Sequence, residues 1–488
     1  MVFNLKQLLA RYNNLPVQVR ASLWFLICSF LQKGVSMITV PIFTRLLSTA
    51  EYGQFNVFYS WLGIIGIFVS LNLSYGVYSQ GLIKFDKERS VFSSSLQGLT
   101  LLMVLFWTVI YGLFHSFWNQ MFSLTTVQML ALLVMIWTTA AFSFWSEEQR
   151  IYYKYRTLVL ITLIVSLAKP LLGIFLVVNA TDKVTARILG LVLVELIIYT
   201  GCFYAQMKRG KEFYSPKFWK YALLYNIPLI PHYLSQVLLG SSDRIMINNM
   251  VGSSEAGIYS LAHSVAFIMT LFNAALMNTM SPWIYQKIKE KKIYDIAPVA
   301  YLSIGIVVAV NLLLIALSPE IVRFFAPPSY YEAIYCIPPI AMSVIFIYAY
   351  DLFAKFAFYY EKTYFIMLAS LCGALLNIVL NYFGINIFGY IAAAYTTVIC
   401  YICYAIFHYT LMTKICKSYL SNVQPYNLKL LLFIAIGFIA CGFILLFTYE
   451  YSILRYSLIV GAIIGIVLKR EKIMSVFKQL RAVREGNN

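Results

Sequence analysis

The sequence is divided into long apolar runs, and their length limits the folds that the chain can adopt. Most runs contain about 20 residues, which as an α-helix span the ~30 Å hydrocarbon core of a membrane. Of the 488 residues, 61% are hydrophobic and only 11% are charged, whereas soluble proteins are about 25% charged. A β-barrel would instead show alternating segments of about 10 residues. The sequence therefore predicts an all-α polytopic membrane protein.

Fourteen transmembrane helices are predicted from these runs. They cover residues 21–44, 52–76, 91–117, 124–146, 157–179, 184–207, 218–242, 254–281, 297–318, 332–354, 363–384, 388–412, 428–448 and 452–468. Residues 1–20, with apolar side chains near one helical face, predict a short interfacial segment. Residues 469–488 form a basic tail.

The net charge of +18 could suggest a nucleic-acid-binding protein, but the distribution of the basic residues favours a different interpretation of this charge. With a cytoplasmic N-terminus, 29 of the 37 Lys and Arg residues fall on the cytoplasmic side and 6 on the opposite side. This asymmetry follows the positive-inside rule, which predicts that both termini are cytoplasmic. The charge therefore indicates membrane topology and contact with anionic lipids, not a nucleic-acid partner.

One short element occurs twice, as LLSTAEYGQF at residues 46–55 and as MVGSSEAGIY at residues 250–259. In the first copy, Ser48 and Glu51 have the spacing of a capping box, in which each satisfies the other's backbone N–H group. In the second copy, Gly252 takes the cap position, which glycine tolerates, and Glu255 takes the place of Glu51. The cap is followed in both copies by a glycine. The two glycines are Gly53 and Gly257. Each copy predicts an outward-facing hairpin that starts a helix.

The offset of 204 residues between the two copies also relates the predicted helices on either side of them. It maps the six-helix pattern of residues 21–207 onto residues 218–412, and internal repeats are a recurring architecture of secondary transporters. Each repeat has an even number of helices, so both repeats enter the membrane from the same side. The repeats are therefore parallel and related by a pseudo-two-fold axis along the membrane normal. The predicted divisions are an N-lobe (21–207), a cytoplasmic linker (208–217), a C-lobe (218–413) and a C-terminal helix pair (414–468).

The first hairpin after VPIFTR, and SSDRIMINNMVGSSEAGIYSLA in the second half, resemble the polysaccharide (O-antigen type) flippases. These belong to the multidrug/oligosaccharidyl-lipid/polysaccharide exporter superfamily. The resemblance implies two lobes around a central cavity in the bacterial inner membrane, with no cofactor. It implies transport of an undecaprenyl-pyrophosphate-linked oligosaccharide from the cytoplasmic to the periplasmic leaflet. Membrane lipids, a polysaccharide polymerase and chain-length machinery are the further partners that it suggests.

Ionisable residues near the bilayer centre are candidate functional residues, because each costs roughly 2.5–3.5 kcal/mol on insertion scales. Lys33 and Lys169 lie mid-span and would suit a pyrophosphate or an acidic sugar. The alternative is a buried lysine paired with Glu195 or with a backbone carbonyl. Glu195 could pair with Lys169 or take a coupling cation or proton. Asp351 and Lys355 form an i,i+4 pair, which could serve coupling or only stabilise a helix end.

The seventh predicted span, residues 218–242, contains Pro228 and Pro231, which remove backbone donors and favour a bend. His232 and Gln236 follow about one and two turns after Pro228. Since free carbonyls at membrane depth are tolerated only in protein or beside a cavity, this segment is interpreted as a bent gating helix with a polar, substrate-facing side. The alternative is a passive kink.

Three charged residues lie beside the hairpins, Arg45 near the first and Asp243 with Arg244 near the second. They could latch the outer rim of the transporter, or they could be solvated loop charges.

Two other functions compete with a flippase. A multidrug exporter of the same superfamily should carry acidic groups in the membrane, whereas the deepest charges here are mostly lysines. A membrane polysaccharide polymerase or ligase needs a sizeable outward loop, but the longest predicted outward connection, residues 319–331, has about 13 residues. The sequence shows no metal motif, catalytic nucleophile motif or ATP-binding motif. We therefore expect a transporter, not an enzyme, driven by an ion gradient or by consumption of its product.

Overall fold

The computed structural model describes residues 15–468, in which the regular elements are helices. The predicted basic tail and most of the predicted interfacial segment lie outside the described residues. The helices are α1 (Val17–Leu46), α2 (Thr49–Ser70), α3 (Val77–Lys84), α4 (Arg89–Leu113), α5 (His115–Phe122), α6 (Thr126–Ile151), α7 (Tyr155–Asn179), α8 (Lys183–Gly210), α9 (Pro216–Asn226), α10 (Ile230–Met250), α11 (Ser253–Lys289), α12 (Ile296–Ala316), α13 (Ser318–Phe325), α14 (Ala333–Tyr359), α15 (Thr363–Phe388), α16 (Ala392–Tyr419), α17 (Leu428–Phe447) and α18 (Ser452–Leu468).

Within the described range, twelve helices are long and apolar enough to cross a membrane. They confirm the predicted all-α multi-pass membrane fold. The remaining two predicted spans differ from the others. Segment 218–242 is divided between α9 and α10 by a 3₁₀ turn at Ile227–Leu229. Segment 452–468 forms α18, which has 17 residues and is therefore at the short end of what spans a bilayer.

Two predicted spans extend four or more residues beyond the C-terminal ends of their helices. Span 52–76 overruns α2, which ends at Ser70 because Leu71 and Asn72 adopt left-handed backbone angles, with φ of 50° and 49°. Span 91–117 overruns α4, which ends where Phe114 leaves helical geometry. The apolar residues beyond that point belong to the separate helix α5. Hydropathy alone carries no signal for these local breaks.

The described residues divide into two compact units. The N-terminal unit comprises residues up to 248 together with 252–257, and the C-terminal unit comprises 249–251 and the residues from 258 onward. The sequence repeat had predicted that the boundary between the two lobes lies in a linker at residues 208–217. The packing assigns α9 to the N-terminal unit because Phe218 and Ala222 are buried in one core cluster with residues of α3 and α4.

A buried polar network joins four helices of the N-terminal unit. Arg209 donates two hydrogen bonds to the Glu148 carboxylate, at 2.9 and 2.8 Å. Gln206 donates to Glu148 at 2.7 Å and to the Tyr78 hydroxyl at 3.1 Å. Gln97 donates to Gln206 at 2.7 Å. These side chains come from α3, α4, α6 and α8, so the network fixes the positions of those helices relative to one another.

In the C-terminal unit, the last helix pair is anchored through polar contacts at one end. Arg455 of α18 forms an ion pair with Glu320 of α13, and the Tyr456 hydroxyl donates to the same carboxylate at 2.6 Å. Between α17 and α18, the Tyr449 hydroxyl donates to the Ile315 carbonyl at the end of α12, at 2.6 Å. These helices, which lie outside the repeat, are therefore attached to the helices within it.

Replacing Arg455 by alanine should loosen this attachment. The Arg455 side chain is only 3% exposed, whereas its partner Glu320 is 33% exposed. Water can therefore solvate part of the remaining carboxylate, and we expect a loss of roughly 1–3 kcal/mol in the free energy of unfolding. Thermal unfolding in detergent measures this loss of stability.

Arg323→Ala is the control, because it removes an exposed charge from α13, the helix that carries Glu320. It should change the free energy of unfolding by less than about 0.5 kcal/mol. Equal effects of the two variants would contradict the anchoring role.

Candidate functional site

The first hairpin begins α2 with a complete capping box. The Ser48 hydroxyl accepts from the Glu51 backbone N–H at 3.2 Å, and the Glu51 carboxylate accepts from the Ser48 backbone N–H at 2.7 Å. Leu47 and Tyr52, on either side of the box, are both 3% exposed. In the second copy, Gly252 directly precedes α11, and its carbonyl accepts from the Ala256 N–H at 3.1 Å. Glu255 lies in the first turn of that helix.

Residues 252–257 of the second hairpin belong to the N-terminal unit, where they contact the first hairpin. The hydroxyls of Thr49 and Ser254 are hydrogen-bonded at 2.6 Å. A Cβ atom on Gly53 would overlap the carbonyl oxygen of Ser253, and a Cβ atom on Gly257 would overlap that of Thr49. These two contacts are related by the 204-residue offset of the repeat. The glycines thus allow two helix starts to touch through their backbones.

A cavity of about 370 Å³ lies inside the N-terminal unit, among α1, α2, α7 and α8. Its polar and aromatic lining residues are Gln32, Ser36, Thr39, Phe43, Phe55, Asn56, Tyr59, Ser166, Lys169 and Arg187. Apolar residues, Pro170 and Gly173 complete the wall. None of the described residues that line it is an Asp or a Glu. The cavity therefore presents amides, hydroxyls and two cations between apolar helices.

Lys169 of α7 reaches this cavity and is paired with Glu195 of α8. The Lys169 ammonium lies 2.6 Å from the Glu195 carboxylate, and the two side chains are 22% and 3% exposed. Glu195 also accepts hydrogen bonds from the hydroxyls of Thr138, at 2.9 Å, and Thr139, at 3.2 Å. Of the two possibilities for Glu195, the structure shows the pairing, with the lysine at the cavity and the carboxylate behind it. A role in transport stays a prediction.

Arg187 of α8 is the cavity cation that the sequence did not single out. Its guanidinium carbon lies 3.4 Å from the centroid of the Phe55 ring and 3.9 Å from that of Phe43. Both distances are typical of cation–π contacts. In the predicted topology, Arg187 is one of the 6 Lys and Arg residues on the outward side, where a positive charge is explained by topology alone. Its aromatic partners come from α1 and α2, which are distant in the chain, so no local pattern could identify them.

Lys33 lies on α1 beside the cavity-lining Gln32, but Lys33 itself is not among the lining residues. Its side chain is exposed. Among the described residues, the structure records no ion pair for it, unlike Lys169. The predicted contact between Lys33 and the substrate therefore stays a prediction.

The proline-containing segment is divided into two helices by a 3₁₀ turn. The turn at Ile227–Leu229 contains Pro228, and Pro231 is the second residue of α10. His232 is half-buried and Gln236 is exposed. The interruption of the helix at Pro228 is thus a feature of the structure, whereas the bend, the gating role of the prolines and the substrate contacts of His232 and Gln236 stay predictions.

The other charged candidates lie away from the cavity lining. Asp351 and Lys355 form the expected i,i+4 ion pair on α14, at 2.6 Å. Arg45 and Arg244 each donate to a carbonyl one turn earlier in their own helix, at 2.8 and 2.5 Å. Asp243 is 5% exposed, so it is not a solvated loop charge. The coupling and latch roles stay predictions.

A second group that the sequence analysis missed lies in the C-terminal unit. Asn381 donates to the Asn377 side-chain oxygen at 3.2 Å, both on α15, and Thr396 of α16 donates to Asn381. The three residues are at most 7% exposed. The sequence signal for this group is the i,i+4 spacing of Asn377 and Asn381 within an apolar span. Neutral amides carry no charge at membrane depth, so the insertion cost that pointed to the ionisable residues does not single them out.

The chain shares sequence features with known families and relatives. A family model described as a polysaccharide biosynthesis protein matches residues 19–288, and a MatE model matches residues 228–383. The Lsg locus putative protein 1 of Haemophilus influenzae is 23% identical over 291 residues, which are 56% of this chain and 67% of that protein. An uncharacterized membrane protein of the same organism is 23% identical over 368 residues, 71% of this chain and 85% of that protein.

Solved structures share the fold. The lipid II flippase MurJ in an inward closed conformation superposes with a TM-score of 0.70 at 14% identity, over 92% of this chain and 99% of that one. An inward-facing multidrug resistance MATE family transporter has a TM-score of 0.61 at 11% identity, over 79% of this chain and 96% of that one. The polysaccharide biosynthesis model matches more than half of the sequence, and so, as the hairpin motifs predicted, the chain belongs to the polysaccharide biosynthesis protein family.

Proposed function

We propose that the protein is a flippase that moves an undecaprenyl-pyrophosphate-linked oligosaccharide from the cytoplasmic to the periplasmic leaflet of a bacterial inner membrane. The observation that carries this proposal is the cavity in the N-terminal unit, where Lys169 and Arg187 stand among amide and hydroxyl side chains. Family membership and the flippase-like fold support it.

The chemistry of the cavity suits a sugar that carries negative charge. Gln32 and Asn56 can donate to and accept from sugar hydroxyls, and cationic side chains form the stronger, charge-assisted hydrogen bonds with carboxylates and phosphates. The volume of about 370 Å³ is at the lower end of the range for ligand pockets. We therefore expect the cavity to hold one group of a larger substrate rather than the whole oligosaccharide.

The Lys169–Glu195 pair explains how a cation can be held in the cavity, because the carboxylate offsets the charge of the ammonium. The Glu195 carboxylate forms an ion pair with the Lys169 ammonium. A substrate anion would then approach Lys169 from the cavity side while Glu195 keeps its bonds to Thr138 and Thr139. Alternating access of the cavity to the two membrane faces, coupled to an ion gradient, would complete the cycle.

A multidrug exporter is the second candidate, because the MatE model matches residues 228–383. An exporter of cationic drugs should expose carboxylates to its substrate, whereas the described lining residues include two cations and no Asp or Glu. The cavity chemistry therefore favours the anionic oligosaccharide.

Deletion of the gene tests the proposal directly. We expect surface polysaccharide to be lost while the lipid-linked repeat unit accumulates in the inner leaflet. Increased drug sensitivity with unchanged polysaccharide would instead identify a multidrug exporter. Loss of polymer with repeat units already in the outer leaflet would identify a polymerase.

The charge asymmetry predicts the topology of this transporter, with both termini in the cytoplasm. Reporters that are active only in the cytoplasm should work when fused after Lys87, Lys211 and Lys289 and at the C-terminus. Reporters that are active only in the periplasm should work near Asp182 and Ser253. A periplasmic C-terminus would contradict the even number of spans.

Lys33 is predicted to face water and the anionic substrate. In a background without the native cysteines, Lys33→Cys should react with a cationic methanethiosulfonate, and lipid-linked substrate should slow the reaction severalfold. Ile38→Cys is the matched control, because Ile38 is 66% exposed on the same helix but is an apolar residue suited to lipid. Equal labelling of both positions, or none at position 33, would show that Lys33 is not part of a substrate path.

A further inference from the structure

A strap of chain, residues 210–226, runs from the end of α8 to the turn before α10 and lies against α4 in the N-terminal unit. A Cβ atom on Gly210 of the strap would overlap the Ser90 carbonyl oxygen of α4. In the other direction, a Cβ atom on Gly98 of α4 would overlap the Phe213 carbonyl oxygen of the strap. One glycine on each side therefore lets the backbones of the strap and of α4 touch.

The second half of the strap is helix α9, which is held on α4 by its side chains. Phe218 and Ala222 are 2% and 0% exposed, in a core cluster with residues of α3 and α4. The Trp219 indole N–H donates to the Ser95 carbonyl of α4 at 2.9 Å. Burial of apolar side chains and a hydrogen bond to the backbone both stabilise this position. The first part of the seventh predicted span is thus attached to the fourth helix along its length.

Asn226 attaches the end of α9 to the break between α2 and α3. Its side chain is 0% exposed, and its Nδ2 donates to the Leu71 carbonyl at 2.6 Å. Leu71 follows the last residue of α2 and has a left-handed φ of 50°. A carbonyl at the end of a helix lacks a partner in that helix, and at membrane depth it needs one from elsewhere in the protein. Asn226 supplies that partner, so moving the end of α9 would leave the carbonyl unsatisfied.

Beyond α9 the chain has fewer backbone hydrogen bonds. Pro228 and Pro231 have no N–H group, so neither can bond to the carbonyl four residues earlier. The Ile227 carbonyl accepts from the Ile230 N–H, three residues later, in the 3₁₀ turn. A short 3₁₀ stretch within a helical segment often marks a hinge. After this turn, α10 leads to residue 249, where the C-terminal unit begins.

We propose that the strap stays fixed to the N-terminal unit during transport and that the turn at Ile227–Leu229 is the joint at which α10 changes direction. This inference rests on the proposed flippase function, because alternating access requires movement. It goes beyond a gating role for the whole proline-containing segment, since it assigns the movement to α10 and a fixed position to α9. Asn226 is the positioning residue at the boundary between the fixed and the moving part.

A disulfide between α2 and α10 tests the movement of α10. A Cβ atom on Gly63 would lie 3.1 Å from Val237 Cγ1, so cysteines at these two positions are within reach of a disulfide. Val237 is eight residues beyond Leu229, about 12 Å along the helix, where a change of direction displaces it. In cells that carry Gly63→Cys with Val237→Cys, oxidation should reduce newly made surface polysaccharide at least tenfold, and a reductant should restore it. Pulse labelling with a radioactive sugar measures the new polysaccharide.

A link between the strap and α4 is the matched control. Lys217 of the strap forms an ion pair with Glu88 at the start of α4, and the two side chains are 56% and 50% exposed. A short bifunctional methanethiosulfonate should therefore link Glu88→Cys to Lys217→Cys. Transport should stay within twofold of the unlinked level, because these residues do not separate. A maleimide gel shift counts the thiols that remain free, and each single-cysteine variant controls for modification of one thiol.

A second pair across the joint provides the test if the first does not fold. The rings of Tyr75, between α2 and α3, and Tyr233 of α10 have centroids 5.7 Å apart. Linking Tyr75→Cys to Tyr233→Cys with the same reagent should also reduce transport at least tenfold.

The linked and unlinked forms separate this proposal from the proposed function. The joint is overturned if protein linked between α2 and α10 transports as its reduced form does. The fixed strap is overturned if the link between Glu88→Cys and Lys217→Cys stops transport. In either case the unlinked forms still support surface polysaccharide, so the flippase function stands. Unmodified protein that fails to restore polysaccharide to the deletion strain would contradict the flippase function itself.

Discussion

Replacing Lys169 by methionine is expected to abolish surface polysaccharide and to reduce the amount of folded protein. The substitution leaves the Glu195 carboxylate, 3% exposed, with only the hydroxyls of Thr138 and Thr139 as described partners. Removing one member of a buried ion pair costs about 3–5 kcal/mol, and the partial exposure of Lys169 places this case near the lower value. Fluorescence-detected size-exclusion chromatography measures folded protein, and immunoblotting measures polysaccharide.

A double variant separates the structural role of Lys169 from its functional role. Lys169→Met with Glu195→Gln leaves no buried charge, and the glutamine can still accept from the two threonines. We therefore expect most of the folded protein to return while transport stays lost, because the cavity has lost a cation. Transport at the unmodified level in this double variant would show that the pair serves only the fold.

Replacing Gly53 by alanine is expected to destabilise the protein although it adds a single methyl group. The new Cβ would overlap the Ser253 carbonyl oxygen, which is backbone and cannot rotate away as a side chain can. Overpacking typically costs about 1–3 kcal/mol, and Gly257→Ala should have a similar effect, because its Cβ would overlap the Thr49 carbonyl. Thermal unfolding in detergent and the level of surface polysaccharide measure the two consequences.

Gly34→Ala is the matched control for the glycine substitutions. Gly34 is also helical, but nothing lies within 4 Å of a Cβ built on it. Alanine is favoured over glycine in a helix by roughly 0.5–1 kcal/mol, so this variant should be neutral or slightly more stable. If Gly53→Ala were as stable as Gly34→Ala, the backbone contact between the hairpins would not be a constraint.

The hairpins show which contacts a local sequence pattern can predict and which it cannot. The capping box is a contact between residues three apart, so the spacing of Ser48 and Glu51 was sufficient to predict it. The offset of 204 residues related Gly53 to Gly257 but gave no sign that they touch, because a repeat relates positions without fixing the distance between them. That contact depends on how α2 and the start of α11 cross.

The cavity was not predictable in the same way. Its lining comes from four helices whose faces are apolar on several sides, so periodicity could not indicate which residues point inward. Depth identified Lys169 as a candidate and Glu195 as one possible partner, and the structure shows that these two residues are paired. Arg187 was passed over because it lies near a helix end, where a positive charge has an ordinary topological explanation.

The backbone contact between the hairpins restricts how a defect there could be repaired. A clash between two side chains can be relieved by shrinking the partner, but the partner of Gly53 is a carbonyl oxygen that every amino acid carries. No substitution at Ser253 removes that atom, and none at Thr49 removes the oxygen that faces Gly257. In a genetic selection that starts from Gly53→Ala, second-site suppressors should therefore never map to the facing residue. Recovery should come from reversion or from distant changes that shift a whole helix, so each glycine constrains the sequence independently of its neighbour.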